Sequence, residues 1–486
     1  MNWKQISKNV GYALLVSALF MFLSVIVSIL NGNDSACAAL IISFTITFIV
    51  GIFPFIFVRG NRDISLKEGY VIITLAWLLS FVFGMLPYAL WGGPFSLANA
   101  WFESVSGFTT TGSTILDDVE ILPDSLQFWR CSTHFIGGLG VVVFLLLIIP
   151  DSSPVRMRLT NLELNTLSRN AGISRRPSKL MLHFAMVYVG LCVVAFLSYW
   201  LAGMKPLDAI CHAMSVSATG GFSTRARSIG AYGSRLIEGL TMLFMYLSSL
   251  NFGMLFLSIV TRSLRPLKNP VVRFYTAGVA VVAIVLGIGL KGAALCPGWG
   301  SALWNGFFQT LCVMTTSGFT VLDNAAWPLW MCMLLMLPAI VCGCAGSTSG
   351  GVKADRALLF VKAVGRQIGR VLHPSSVNEV KLSDRVLRDE DVSPHLLYIA
   401  LYAAALFISA LLCLCVGVNG HSALAASLTS LSNVGSAIRE LGTMNSFNAL
   451  PAAAKYIFTL DMFIGRLEIY PVLAVIGMLF DRRARG

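Results

Sequence analysis

Charged side chains are scarce in this sequence. Asp, Glu, Lys and Arg make up 12% of its 486 residues, about half of the roughly 25% that a soluble globular chain carries. A water-facing surface cannot be assembled from so few, and with 56% hydrophobic residues the chain reads as a polytopic membrane protein. Metal and disulfide frameworks are lacking as well. None of the eleven cysteines belongs to a CxxC pair, and most lie in apolar runs, as Cys192, Cys312, Cys332 and Cys413 do, which points to buried structural thiols. The six histidines, His134, His183, His212, His373, His395 and His421, keep no metal-ligand spacing. No serine or histidine is spaced as a nucleophile with its base, so an enzyme is not expected. No Walker A sequence occurs, and nucleotide binding is not expected of this chain itself.

Long apolar runs are what the sequence does have. A helix needs about 20 apolar residues to cross the hydrocarbon core, and nine uncharged stretches approach that length: 9–33, 35–58, 69–91, 131–150, 180–204, 239–261, 274–290, 324–352 and 396–418. A tenth, 456–480, is interrupted by Asp461, Arg466 and Glu468. The first follows Lys4 and Lys8 as a signal peptide would, but it exceeds the roughly 7–15 apolar residues of such a leader, so it reads as a retained helix. With the N-terminus in the cytoplasm, segments 1–8, 59–68, 151–179, 262–273, 353–394 and 481–486 fall on that side, and they hold 26 of the 35 Lys and Arg. This is a positive-inside pattern. The net charge of +12 therefore reports topology, and no nucleic-acid partner is expected. On the opposite side, Glu103, Asp117, Asp118, Glu120 and Asp124 would draw cations to an entrance. Glu103 and Asp208 themselves read as helix-start acids answering the dipole, not as ion ligands.

Four stretches between spans are too polar to cross and too apolar to be solvated loops. They are 100–114, 208–224, 303–320 and 424–438, and each reads as a short helix followed by a glycine-containing turn. With Gly112, Gly220, Gly318 and Gly435 taken as equivalent, the separations are 108, 98 and 117 residues. A period of this length is a whole unit of span, short helix, turn and span. The expected architecture is all-α: an N-terminal helix pair (1–68), then four repeats (69–179, 180–273, 274–394 and 395–486) around one central pore.

Irregular backbone at membrane depth is tolerated only where it is buried in protein or lines an aqueous cavity. Hydroxyls beside the glycines, such as Thr110, Thr111, Ser113, Thr219, Thr316 and Ser317, join backbone carbonyls as hard oxygen ligands for a dehydrated cation. Glycine admits the positive φ that such a turn requires, and the negative ends of the short helices favour a cation again. The segments TTTGST, SATGGFST, TTSGFT and SNVGSA resemble the four filter segments of the Trk/Ktr/HKT potassium transporter superfamily, and the extra helix pair resembles its Trk-type membrane subunit. The likeness spans essentially the whole chain, including GGLG at Gly137–Gly140. It implies a potassium filter formed by Thr110, Thr111, Gly112, Ser113, Thr219, Gly220, Gly221, Thr316, Ser317, Gly318, Phe319, Asn433, Val434 and Gly435. Glycine in all four filters goes with potassium selectivity in the family, whereas serine in the first marks sodium-preferring relatives. The fourth departs most, since Asn433 and Val434 put no threonine before the glycine, and looser coordination is expected at that wall.

Two features bear on gating. The eighth span ends in CGCAGSTSGG, residues 342–351, whose composition cannot sustain a helix. The resemblance makes this an intramembrane gating loop, with Gly343, Gly346, Ser347, Thr348, Ser349, Gly350 and Gly351 in it and Lys353 in contact. Arg466, a costly charge near mid-span, resembles the family arginine that projects beneath the filter. Neither Asp461 nor Glu468 stands at i,i+3 or i,i+4 from it, so pairing within the helix is poor. The resemblance further implies a homodimer in the bacterial inner membrane with cytoplasmic termini. It also implies docking on a cytosolic TrkA-type nucleotide-binding regulator through 151–179 and 353–394, and potassium as cargo with no cofactor in this chain. Membrane lipid is the remaining partner expected. The alternative mechanism is a potassium:sodium or potassium:proton symporter working by alternating access.

Overall fold

The computed structural model describes residues 2–58, 65–147, 177–325, 327–373, 379–382, 385–435 and 446–480. The basic segment 151–179 therefore lies almost wholly outside the described residues, as do residues 436–438 of the fourth turn stretch and the C-terminal 481–486.

Two long helices, α1 (Trp3–Leu30) and α2 (Cys37–Phe57), form an antiparallel hairpin. The pair closes where Gly11 leaves room for the Gly51 carbonyl, which a Cβ would meet at 2.7 Å; small residues let membrane helices approach in this way. Four units of helix, short helix, turn and helix follow. The first comprises α3 (Leu66–Gly84), which continues into α4 (Leu86–Trp91), the short α5 (Leu97–Phe108) and α6 (Asp124–Leu147). The second comprises α7 (Pro177–Leu201), short α8 (Pro206–Ser217), α9 (Arg235–Ser248) and α10 (Phe252–Val260). The third has α11 (Pro270–Gly292), short α12 (Trp299–Met314), α13 (Leu329–Val341) and α14 (Ala354–Leu372). The fourth has α15 (Asp389–Cys415), short α16 (Gly420–Leu431), α17 (Ala452–Leu467) and α18 (Ile469–Phe480).

Among the described residues six helices are long and apolar enough to cross a membrane, or seven if the bent α9–α10 pair counts as one span. The exterior carries apolar side chains such as Ile49, Phe53, Val193, Val281 and Phe407, as a multi-pass protein facing lipid requires. The difference from ten unbroken spans lies in the second helices of all four units: α6 is not among the six, and those of the last three units are broken. The 239–261 run is not one helix: α9 and α10 meet at 101°. The first ends at Ser248 with Ser249 as its cap, and Asn251 caps the second, its side chain accepting from Met254 N, so a residue favoured at helix starts overrides the apolar run around it. The eighth span breaks at Cys342, as its composition predicts, with φ at 57°. The tenth breaks at Glu468, φ 65°, which puts Arg466 at the end of α17 rather than within a continuous span.

The cytoplasm-assigned 353–394 segment is structured. Helix α14 packs over a hairpin of β1 (Val380–Leu382) and β2 (Arg385–Leu387), in antiparallel register Val380↔Leu387. Leu359, Ala363, Val380, Leu387 and Val392 form a small core there, the one departure from an all-α chain among the described residues. Gly287–Gly292, GIGLKG, has the spacing of a dinucleotide fingerprint but lies inside α11, without the strand and turn that motif needs.

Candidate ion pathway

Each short helix ends the same way. The turn begins with a residue in the left-handed region, Thr110, Thr219, Thr316 or Asn433 (φ 54°, 53°, 58° and 55°), and two residues later comes a glycine also at positive φ, Gly112, Gly221, Gly318 or Gly435 (81°, 85°, 66° and 82°). The amide of each left-handed residue donates to the carbonyl three residues back, and the next amide to the carbonyl five back, as Thr110 to Gly107 (3.0 Å) and Thr111 to Ser106 (2.9 Å) do. Asn433 to Ser430 (3.1 Å) and Val434 to Thr429 (2.8 Å) repeat the pattern. This is a helix-ending motif that normally uses glycine in its left-handed position. A β-branched threonine there is a genuine outlier, repeated three times.

The register corrects the sequence reading in the second unit, where Gly221 and not Gly220 is the equivalent of Gly112. The separations become 109, 97 and 117 residues. Gly220 is glycine for another reason, since a Cβ on it would lie 2.2 Å from His134 Nδ1. The fourth segment is also not looser in backbone: asparagine tolerates the left-handed region, and Asn433 makes the same turn as the threonines. Its Nδ2 donates to Thr111 Oγ1 and to the Met462 carbonyl, both at 2.9 Å.

The four segments meet. A Cβ on Gly112 would lie 1.9 Å from the Gly220 carbonyl oxygen, one on Gly221 2.2 Å from that of Ser317, and one on Gly435 1.8 Å from that of Thr111. Segment one thus abuts two, two abuts three, and four abuts one. Ser113 Oγ donates to the Gly435 carbonyl (3.0 Å), and Phe319 is buried beside His212. The backbone contacts leave no room for side chains at three of the four glycines.

Directly against these turns lies the 342–353 loop. Thr348 Oγ1 reaches the Ser217 carbonyl (3.2 Å) and Thr219 Oγ1 (3.3 Å), the Gly350 amide donates to Thr316 Oγ1 (3.2 Å), and a Cβ on Gly350 would lie 2.2 Å from the Ser432 carbonyl. Arg466 donates from Nη1 to the Thr348 carbonyl and from Nη2 to that of Gly137 (3.3 Å). Among the described residues no carboxylate pairs with it, and Asp461 instead accepts from Ser409. Ser347 and Ser349 share a hydrogen bond (2.8 Å), and Gly343, Gly346 and Gly351 are each hemmed in, by Ser349 Oγ, Asn251 Nδ2 and Cys342 Sγ. Lys353, at φ 75°, lies 3.9 Å from Glu468, which also pairs with Arg356 at 2.8 Å.

Several residues here were not legible in the sequence. The α9–α10 break cradles the loop: the Ser249 carbonyl accepts from Cys344 N (2.9 Å), Asn251 Nδ2 donates to the Ala345 carbonyl (2.7 Å), and Phe252 N donates to that of Gly346 (3.0 Å). The signal was the polar run Ser248-Ser249-Leu250-Asn251 inside an apolar span. Asn251→Ala removes both the cap and this tie. It should lower stability by about 1–2 kcal/mol, as thermal melting in detergent would read, and unchanged melting would mean that the tie does not hold the loop.

Glu103 is no helix-start acid. It sits past the middle of α5, fully buried, and pairs with Arg130 Nε at 2.6 Å. It also accepts from Thr114 Oγ1 and Ile115 N, just beyond the first turn. Asp208 does lie in the first turn of α8, but its carboxylate is engaged by Thr224 Oγ1 (2.6 Å) and Arg225 Nη2 (3.0 Å). Neither faces another unit's turn. At the outer rim Asp117 accepts from Ser446 and from Asn448 Nδ2 (2.8 Å), and these bonds hold its carboxyl below the usual carboxylate range. The sign follows: the tie contributes above the carboxylate's ordinary pKa and is lost as pH falls through its lowered value. Asp117→Asn should therefore lose less thermal stability on acidification than the unaltered protein, as melting in detergent would show.

A bundle that buries four glycine turns against one another, with a broken helix packed on them and an arginine that no carboxylate pairs with among the described residues, defines a multi-pass membrane protein of the kind that passes a small ion, and no group of three metal-ligating side chains occurs among the described residues. Residues 38–481 match the family described as TrkH, cation transport protein. The Trk system potassium uptake proteins TrkH of Salmonella typhimurium and of Escherichia coli are each 30% identical over 485 residues, covering 99% of this chain and 100% of theirs. TrkG of Escherichia coli is 30% identical over 433 residues, 87% of both chains. The crystal structure of the potassium transporter TrkH from Vibrio parahaemolyticus superposes with a TM-score of 0.88 at 28% identity, over 99% of this chain and 100% of that one. The chain belongs to the TrkH family, a family of transporters and not of enzymes.

Proposed function

We propose that this protein takes up potassium through a pore whose selectivity filter is the ring of four turns at 110–113, 219–221, 316–319 and 433–435. The observation that carries this reading is the contact of Gly112, Gly221 and Gly435 with the carbonyls of the neighbouring segments. A ring drawn together by backbone presents carbonyl and threonine oxygens at a spacing that side chains would destroy, and such oxygens replace the hydration shell of a dehydrated cation. The four helix C-termini at its edge add partial negative charge. Units 69–179, 180–273, 274–394 and 395–486 act as four walls, with 1–68 outside them.

The 342–353 loop and Arg466 form the gate. The loop bridges segments two, three and four, and the guanidinium adds a charge that a cation must pass. An alternating-access symporter is not favoured, since the units run in the same sense and the membrane-depth acid Asp461 is engaged by Ser409. The membrane is the bacterial inner membrane, with both termini cytoplasmic. The shared Trk-system naming of the relatives supports association with other Trk components, and the protein works as a homodimer on a cytosolic TrkA-type regulator, which α14 and its hairpin would meet.

Rubidium-tracer uptake into liposomes holding the purified protein, with external potassium or sodium as competitor, tests the reading. Block by potassium and poor block by sodium is expected. Equal block by the two ions would overturn potassium selectivity.

A further inference from the structure

Counting from the left-handed residue of each turn, the side chain seven residues earlier and the side chain four residues later form a recurrent pair. In the first unit these are Glu103 and Thr114, bonded at 2.9 Å. In the second they are His212 and Ser223, bonded through Nε2 and Oγ at 2.9 Å. His212 Nδ1 lies 2.7 Å from the Asp208 carbonyl, an acceptor only, so Nδ1 carries the proton and Nε2 receives the serine hydroxyl. In the third unit the same two positions hold Gln309 and Thr320, both buried, with Nε2 and Oγ1 left without hydrogen-bond partners. In the fourth the sequence has Ala426 and Ala437, which can form no such bond.

We infer that these pairs are positioning residues that hold the filter walls from behind and set the width of the ring, so that discrimination between potassium and sodium depends on side chains that never touch the ion. In the first two units the pair joins the short helix to the extended segment that follows the turn, and so spans the turn between them. A turn fixed at both ends resists collapse onto a smaller ion. The first two braces are themselves joined, because Arg130 bonds Glu103 through Nε and the Ser223 carbonyl through Nη1 (3.0 Å) while lying 3.6 Å over the Phe222 ring. The walls are thus held unequally: by a carboxylate with hydroxyl, by an imidazole with hydroxyl, by no bond among the described residues from the Gln309 nitrogen or the Thr320 hydroxyl, and by nothing in the alanine pair. This inference rests on the potassium reading above.

The test removes one oxygen at a time from the full-length protein, with Thr114→Val and Ser223→Ala, and keeps the hydroxyl in Ser223→Thr. In liposomes the sodium concentration that halves rubidium uptake, relative to that of potassium, should fall at least threefold in the first two variants and stay at the wild-type value in the third. Damage that is merely structural would lower total uptake and leave this ratio in place. The same preference is read without flux by the extra heat stability that potassium confers over sodium, since an ion bound to the folded state stabilises it. A selective wild type whose ratio is unmoved in both Thr114→Val and Ser223→Ala overturns this inference alone. A wild type with no preference overturns the potassium reading and this one with it.

Discussion

Gly112→Ser is expected to lower the preference for potassium over sodium at least tenfold while leaving rubidium uptake measurable. Two costs act together at this position. With φ at 81° any side chain sits in a backbone region that costs roughly 1–2 kcal/mol. The larger effect is steric: the new Cβ would stand 1.9 Å from the Gly220 carbonyl oxygen, so segments one and two must part by more than an ångström. A parted ring loses an oxygen from the set that replaces the hydration shell, and the loss falls on the ion that relies on full dehydration. Competition by sodium against rubidium in liposomes reads it directly. Unchanged competition would exclude Gly112 from the filter. Serine at Gly92, which also has positive φ but has open space around it, is the matched control and should leave the ratio alone.

Arg466→Ala is expected to raise unregulated flux by one to three orders of magnitude. At an effective dielectric of about 20, a unit charge passing about 4 Å from the guanidinium meets roughly 4 kcal/mol of repulsion, and each 1.4 kcal/mol is about tenfold in rate. Removing the side chain also frees the Thr348 carbonyl, the loop's tie to the last unit. Arg466→Lys separates the two contributions: it keeps the charge but cannot hold the Thr348 and Gly137 carbonyls in the planar fork that arginine presents. Tracer flux near wild type in Lys and high in Ala would assign the barrier to charge, and high flux in both would assign it to the tie. Silence in both variants would remove Arg466 from the gate.

Asn433 shows how sequence and structure divided the reading of the four turns. Read as a string, Asn433-Val434-Gly435 lacks the threonine of the other segments and suggests a slack wall. In the fold asparagine occupies the same left-handed position, and its amide ties segment four to Thr111 and to α17. Gly220 went the other way, because two adjacent glycines cannot be told apart in a sequence when one answers to φ and the other to a neighbouring imidazole.

The sequence by itself determined the class of protein and the break of the eighth span at 342–351. Those rest on local properties: run length against bilayer thickness, lysine and arginine placement, and glycine where a helix cannot continue. Only the tertiary structure decided which glycine of a pair turns the chain, that 239–261 breaks to cradle the loop, and that Glu103 holds the first turn through Thr114 and Ile115 and reaches the second through Arg130. These depend on contacts between residues such as Arg130 and Ser223, 93 positions apart, whose proximity no local pattern encodes.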